Sequence, residues 1–107
     1  MLLHFDSHVD LRNGYHGDHY SHASAIRRCL DQANLKVVSV GIRNISAEEI
    51  PFVEENRERI RIYWGKDKKK WDIDDIVSHL KDLPIYLTFA VDGFDSSVMP
   101  ATGTPEP

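Results

Sequence analysis

The sequence is short of cysteine, of positive charge and of long apolar runs. Its one cysteine, Cys29, has no partner for an internal disulfide. The fold must therefore rest on packing, and this usage suits a reducing compartment, with the cytoplasm as the expected location. Lys and Arg number 13 against 17 Asp and Glu, a net charge of -4. That balance offers no basic surface for nucleic acid. No apolar stretch approaches the roughly 20 residues of a membrane-spanning helix. Met1-Leu2-Leu3 meets His4 and Asp6 at once, where a secretory leader would stay apolar, so neither span nor leader is expected. Repeats and low-complexity segments are absent. With 41% apolar and 28% charged residues in 107, the chain reads as one small globular domain.

Four apolar stretches have strand length: Leu2–Phe5, Lys36–Val40, Ile60–Trp64 and Ile85–Ala90. Three helical patterns separate them. Ile26, Cys29, Leu30 and Ala33 share one stripe, with Ser21 as N-cap. Ser46 and Glu49 have capping-box spacing, and Pro51, about one turn in, delays or kinks that helix. Asp72 caps a third pattern carrying Ile73, Ile76, Val77 and Leu80, and Pro84 follows it. The alternation β-α-β-α-β-α-β predicts an α/β domain, a parallel sheet covered by helices. The runs Val37–Val40 and Ile85–Ala90 read as strands covered on both faces. Lys66–Lys70 reads as a solvated loop.

Ligands of open parallel sheets bind beyond the carboxyl ends of the strands. Asp6, His8 and Asp10 follow the first strand, Gly41 and Arg43 the second, Gly65 the third, and Asp92, Gly93 and Asp95 the fourth. In an extended segment, residues two apart point the same way, so Asp6, His8 and Asp10 converge. Two carboxylates and an imidazole repel or compete unless a cation joins them, and that donor mixture suits a divalent ion such as Mn²⁺. An Asp-rich strand end that only turns the chain satisfies D-x-H-x-D equally well. His16, His19 and His22 would share a helix face, but Gly14 and Gly17 interrupt the stretch. A polar loop with one useful histidine is the expectation.

Taken together, these motifs resemble a known family. His4-Phe5-Asp6-Ser7-His8-Val9-Asp10 is similar to the "HFDAHxD" signature of the ureohydrolases, the arginases and agmatinases. Ser21–Arg28 resembles the "HGxxFRR"-like element, and Val40-Gly41-Ile42-Arg43 the "GxR" strand end. Val91–Asp95 with Pro100–Pro107 resembles "SFDxDxxDPxxxPGTGTPEPGG", and the "TGTPEP" ending leans towards agmatinase-like members. The resemblance implies a three-layer α-β-α domain over residues 1–107, part of an arginase-like fold, with a binuclear manganese site. It implies hydrolysis of a guanidino group, as in agmatine, to urea and an amine by a metal-activated hydroxide. By the match, Asp6 would bridge both ions, and His8, Asp10 and Asp92 would each ligate one. His22 would be the acid/base histidine, and Glu49 falls near an acidic position of the substrate loop. Such enzymes form oligomers.

Four departures oppose full activity. Ala90 stands where the family has a second bridging Asp. The upstream "GGDHS" histidine and the downstream substrate-binding Glu are both missing from these 107 residues, and Asp95-Ser96 replaces Asp-Pro. The chain therefore reads either as an agmatinase-like hydrolase or as a truncated, degenerate homologue that keeps the fold and weak metal binding without turnover. An unrelated small α/β binding module would leave "DSHVD" and "TGTPEP" unexplained. The abrupt ends give the expectation of an internal fragment. A four-stranded piece of a sheet would expose edges and self-associate.

Overall fold

The computed structural model describes residues 1–107. Four parallel strands, β1 (Leu2–Phe5), β2 (Val37–Ile42), β3 (Ile60–Trp64) and β4 (Tyr86–Phe89), pair in the order β3-β2-β1-β4. The helices are short. A 3₁₀ turn, His22–Ser24, leads into α1 (Ala25–Cys29), and another, Ala47–Glu49, leads into α2 (Ile50–Glu55). The third helix, α3, spans Ile73–Ser78.

Connections β1 to β2 to β3 step one way along the sheet, and β3 to β4 returns past β1. Right-handed crossovers then place the helices on opposite faces, and the packing agrees. Ile26 of α1 and Phe52 and Val53 of α2 pack with Leu2, Val37 and Ile60 on one face. Ile76 of α3 packs with Val38, Val40 and Tyr63 on the other. The result is a three-layer α-β-α arrangement. Arg27 adds a cation–π contact on Phe52, 3.6 Å from the ring centroid, that ties α1 to α2.

Local chemistry sets the element boundaries. Ser21 accepts the Ala23 N–H and caps the first helical segment. Glu49 reaches back to the Ser46 N–H at 2.7 Å and to Ser46 Oγ at 2.8 Å. Pro51 sits in the first turn of α2, where its missing N–H costs nothing, so the α-helix begins late, after a 3₁₀ turn. Asp72 accepts the Asp74 N–H and caps α3.

Four expectations are corrected. The run Ile85–Ala90 is no covered middle strand. β4 is a sheet edge, with Tyr86 72% exposed and Leu87 and Phe89 about half exposed. Of the α3 stripe, Ile76 is buried and Leu80 packs partly beside it, whereas Ile73 and Val77 face solvent, because the short helix meets the sheet along one narrow line. Cys29 is exposed rather than on the α1 stripe, since α1 ends there. Lys66–Lys70 is not an irregular loop but part of a 3₁₀ segment, Gly65–Lys70. No helix is long and apolar enough to cross a membrane.

Candidate metal centre

The chain leaves β1 towards β2, and β4 lies on β1's other side, so the β1–β4 boundary is a topological switch point where strand ends leave an open crevice. Asp6 follows β1 directly. Asp92 lies in a 3₁₀ turn, Val91–Gly93, directly after β4. The β1 end is bound to the β2 end. Ser7 O accepts the N–H groups of Arg43 (2.9 Å) and Asn44 (3.0 Å). β2 takes one extra residue against β1 between the pairs Phe5–Val40 and His8–Asn44, and Gly41 there adopts a φ of 92°, a conformation that strains any other residue. Asp10 takes a φ of 55°, a left-handed conformation that Asp tolerates better than most residues. It breaks the extended run and swings the Asp10 carboxylate away from His8.

The expected convergence of Asp6, His8 and Asp10 is thereby divided between two groups that share Asp6. Donor atoms of Asp6, His8 and Asp92 lie within 4.8 Å of one another, and so do those of His4, Asp6 and Asp10. His8 Nδ1 is 3.4 Å from Asp6 Oδ1 and 3.2 Å from Asp92 Oδ2. His4 Nε2 is 3.2 Å from Asp6 Oδ2, and its Nδ1 is 3.0 Å from Ser39 Oγ. Asp92 also accepts from Thr104 Oγ1 at 2.8 Å, and His8 Nε2 lies 3.3 Å from Glu106 Oε1.

His4 is a site residue that the strand reading passed over. It is 2% exposed. Extending the same two-residue period one step back from Asp6 would have found it. Thr104 and Glu106 come from the closing loop and carry no local signal of their role.

Burial and charge make the site tense. Burial pushes the Asp10 carboxyl up to about 7, and the negative charge of Asp6 adds to the rise. Burial also works against ionisation of Asp6, but hydrogen bonds from the His4 ring and the His8 N–H outweigh it and hold Asp6 below the ordinary carboxylate value. An ionised Asp6 thus sits beside a carboxyl that resists ionising. A cation between them removes that conflict. Three carboxylates and two imidazoles, in two groups joined through one carboxylate, fit a pair of hard to borderline divalent ions.

A cavity of ≈ 320 Å³ opens over this cluster and is lined by Asp6, His8, Asp10, His22, Glu49 and Asp92 among others. His22 is exposed at its wall, edge-on to Tyr15 with ring centroids 5.9 Å apart. His16 and His19 are exposed on the preceding turn and do not line the cavity. Glu49 is buried with both oxygens engaged, Oε1 by the Leu11 N–H at 2.9 Å and Oε2 by Ser46. Its contacts are those of a brace between the β1 loop and α2. Glu49→Ala should strand these donors and cost about 1–3 kcal/mol, read as a lower urea midpoint. An unchanged midpoint would remove Glu49 from the brace.

Strand order, switch-point position and the Asp/His donor set define a three-layer α/β protein with a candidate divalent-metal centre. The chain belongs to the arginase family, which it matches over residues 1–107. It is 37% identical over 105 residues to the agmatinase of Pyrococcus horikoshii, covering 96% of this chain and 35% of that one. It is 38% identical over 104 residues to the N(1)-aminopropylagmatine ureohydrolase of Thermococcus kodakarensis, covering 95% and 34%. The agmatine ureohydrolase of Thermoplasma volcanium superposes with a TM-score of 0.83 at 35% identity, over 99% of this chain and 36% of that one. The arginase of Bacillus subtilis shares the fold with a TM-score of 0.80 at 20% identity, over 98% of this chain and 42% of that one. The chain spans about a third of the length of the curated relatives it matches.

Proposed function

We propose that this chain carries the metal-holding part of an agmatinase-type hydrolase, which cleaves a guanidino group to urea and an amine with Mn²⁺ as the metal. One observation carries the reading: a single buried carboxylate, Asp6, belongs to two adjacent Asp/His donor groups at the sheet's switch point. When bound, two divalent ions supply a hydroxide nucleophile at neutral pH and polarise the group under attack.

The chain's own residues supply the setting. Asp6 offers one oxygen to each group. His8 and Asp92 complete one, and Asp10 with His4 stands in the other. His4 also fixes the Asp6 carboxylate from the strand side, and Ser39 fixes the His4 ring. His22 stands at the cavity wall, where its imidazole can hand a proton to the departing amine. Agmatine, a cationic guanidine with an amine tail, suits an acidic cavity of this kind.

A second reading is favoured by one position. Ala90 continues the β1–β4 register past Phe5 and Phe89, and so lies beside Asp6 with no ligand to offer. On that reading the chain binds metal weakly and does not turn over. Purified chain with excess MnCl₂ and agmatine separates the two. Little or no urea is the expected result, and turnover approaching the ~10 s⁻¹ of a typical enzyme would overturn the second reading. Failure to bind Mn²⁺ in calorimetry would overturn both.

The exposed apolar residues of β4 and α3 support association with further protein, in keeping with an oligomeric enzyme. Sedimentation at rising concentration should show species heavier than 12.3 kDa. A monomer throughout would overturn that reading.

A further inference from the structure

Arg43 lies outside both donor groups, yet its side chain has the densest set of polar contacts in the molecule. Nη1 donates to Gly41 O at 3.0 Å and Gly93 O at 3.3 Å. Nη2 donates to Asp92 O at 2.8 Å, Phe94 O at 3.0 Å and Glu106 O at 2.9 Å. Nε donates to Glu106 O at 3.2 Å. Five N–H groups thus meet five carbonyls from three segments: the β2 end, the turn after β4 and the closing loop.

The carbonyls of Asp92, Gly93 and Phe94 are consecutive and all face this one cation. Their negative ends crowd together, and a positive charge with spread donors offsets that repulsion. The two residues gripped at the ends, Asp92 and Glu106, are the ones whose carboxylates meet the His8 ring, at Nδ1 (3.2 Å) and Nε2 (3.3 Å). Asn44, the next residue, donates from Nδ2 to Glu106 Oε1 at 2.9 Å and so holds Glu106 as well, but it does not reach the Asp92 turn. The β1 half of the centre is built by sheet pairing, whereas the Asp92 half hangs on a turn beyond an edge strand.

We infer that Arg43 is a positioning residue for the candidate metal centre: its planar guanidinium fixes the Asp92 turn and the Glu106 loop against β2, and so sets the carboxylates on either side of His8. The metal readout of this inference rests on the proposed function, but the geometry does not. A lysine has a compact head with three donors and cannot reproduce the fork.

The test uses the full chain with MnCl₂ as the probe. Arg43→Ala and Arg43→Lys should keep the wild-type circular dichroism and lose Mn²⁺ affinity by about 10- to 100-fold, the range for an outer partner of a metal ligand. Low-millimolar guanidinium should restore affinity to Arg43→Ala, by filling the same five-carbonyl socket, and should not restore it to Asp92→Asn. A folded Arg43→Ala with wild-type affinity, or guanidinium rescue of both variants alike, would overturn the inference. In metal-free protein the His8 ring nitrogens should shift by NMR in Arg43→Ala and return with guanidinium. Unchanged His8 resonances would overturn the inference even if wild type bound no Mn²⁺, a result that would by itself count only against the metal reading.

Discussion

Replacing Ala90 by Asp should tighten Mn²⁺ binding at least about tenfold, worth ~1.4 kcal/mol, while making the metal-free chain less stable. Both halves follow from register. β1 and β4 pair in parallel with Phe5 opposite Phe89, and the Ala90 N–H continues the ladder to Phe5 O at 2.8 Å. Side chains at paired positions of neighbouring strands point the same way, about 4.8 Å apart. An Asp at 90 would therefore stand beside Asp6, between Asp92 and the sheet. Without a cation this is one more negative charge next to an ionised carboxylate and a carboxyl already pushed up to about 7, and like charges across a strand pair destabilise. With Mn²⁺ the same charge becomes a ligand. Thermal unfolding should show the crossing: Ala90→Asp melts below wild type in EDTA and above it in saturating MnCl₂. Equal Mn²⁺ affinity in the two proteins would mean that position 90 does not face the centre.

The second large effect is a loss. Asp6→Asn keeps the size and shape of the side chain and removes its charge. Because Asp6 serves both donor groups, the change weakens both together, and Mn²⁺ affinity should fall by more than about 100-fold, beyond what loss of an outer partner costs. Asp95→Asn is the matched control. Asp95 follows β4, past Asp92, but is exposed and belongs to neither group, so the affinity of Asp95→Asn should stay at the wild-type value. Two separate sites of which only one is lost in Asp6→Asn would show that the carboxylate is not shared.

Much of this was legible in the residues. β1 and β3 coincide with their apolar runs, and the Ser46–Glu49 and Asp72 caps form as their spacing foretells. The strand-end rule gathers Asp6, His8, Asp10 and Asp92 at one edge. What escaped depends on distant partners. An apolar run reports that a strand is suited to cover, not which neighbours this chain provides, so the exposed edge position of β4 was invisible until the return crossover past β1 was known. The left-handed Asp10 is a tertiary outcome, and with it the division of the triad. His4 was hidden among the apolar residues of its strand. Arg43 looked like a strand-end arginine because the carbonyls that it gathers lie some 50 and 63 residues further along the chain.

The free edge of β4 also bears on how the centre opens. Each β4 residue is held from the β1 side alone, and its exposed side chains add little burial to resist separation. Local opening should therefore begin there and leave the β3-β2-β1 ladder intact. Such an opening frees the strand up to Ala90 and leaves Asp92 beside Asp6 and His8 only as long as Arg43 keeps its grip on the turn carbonyls. The centre is then a clasp with one fixed jaw and one hinged jaw, and metal exchange in this chain would follow the breathing of an edge strand rather than global unfolding.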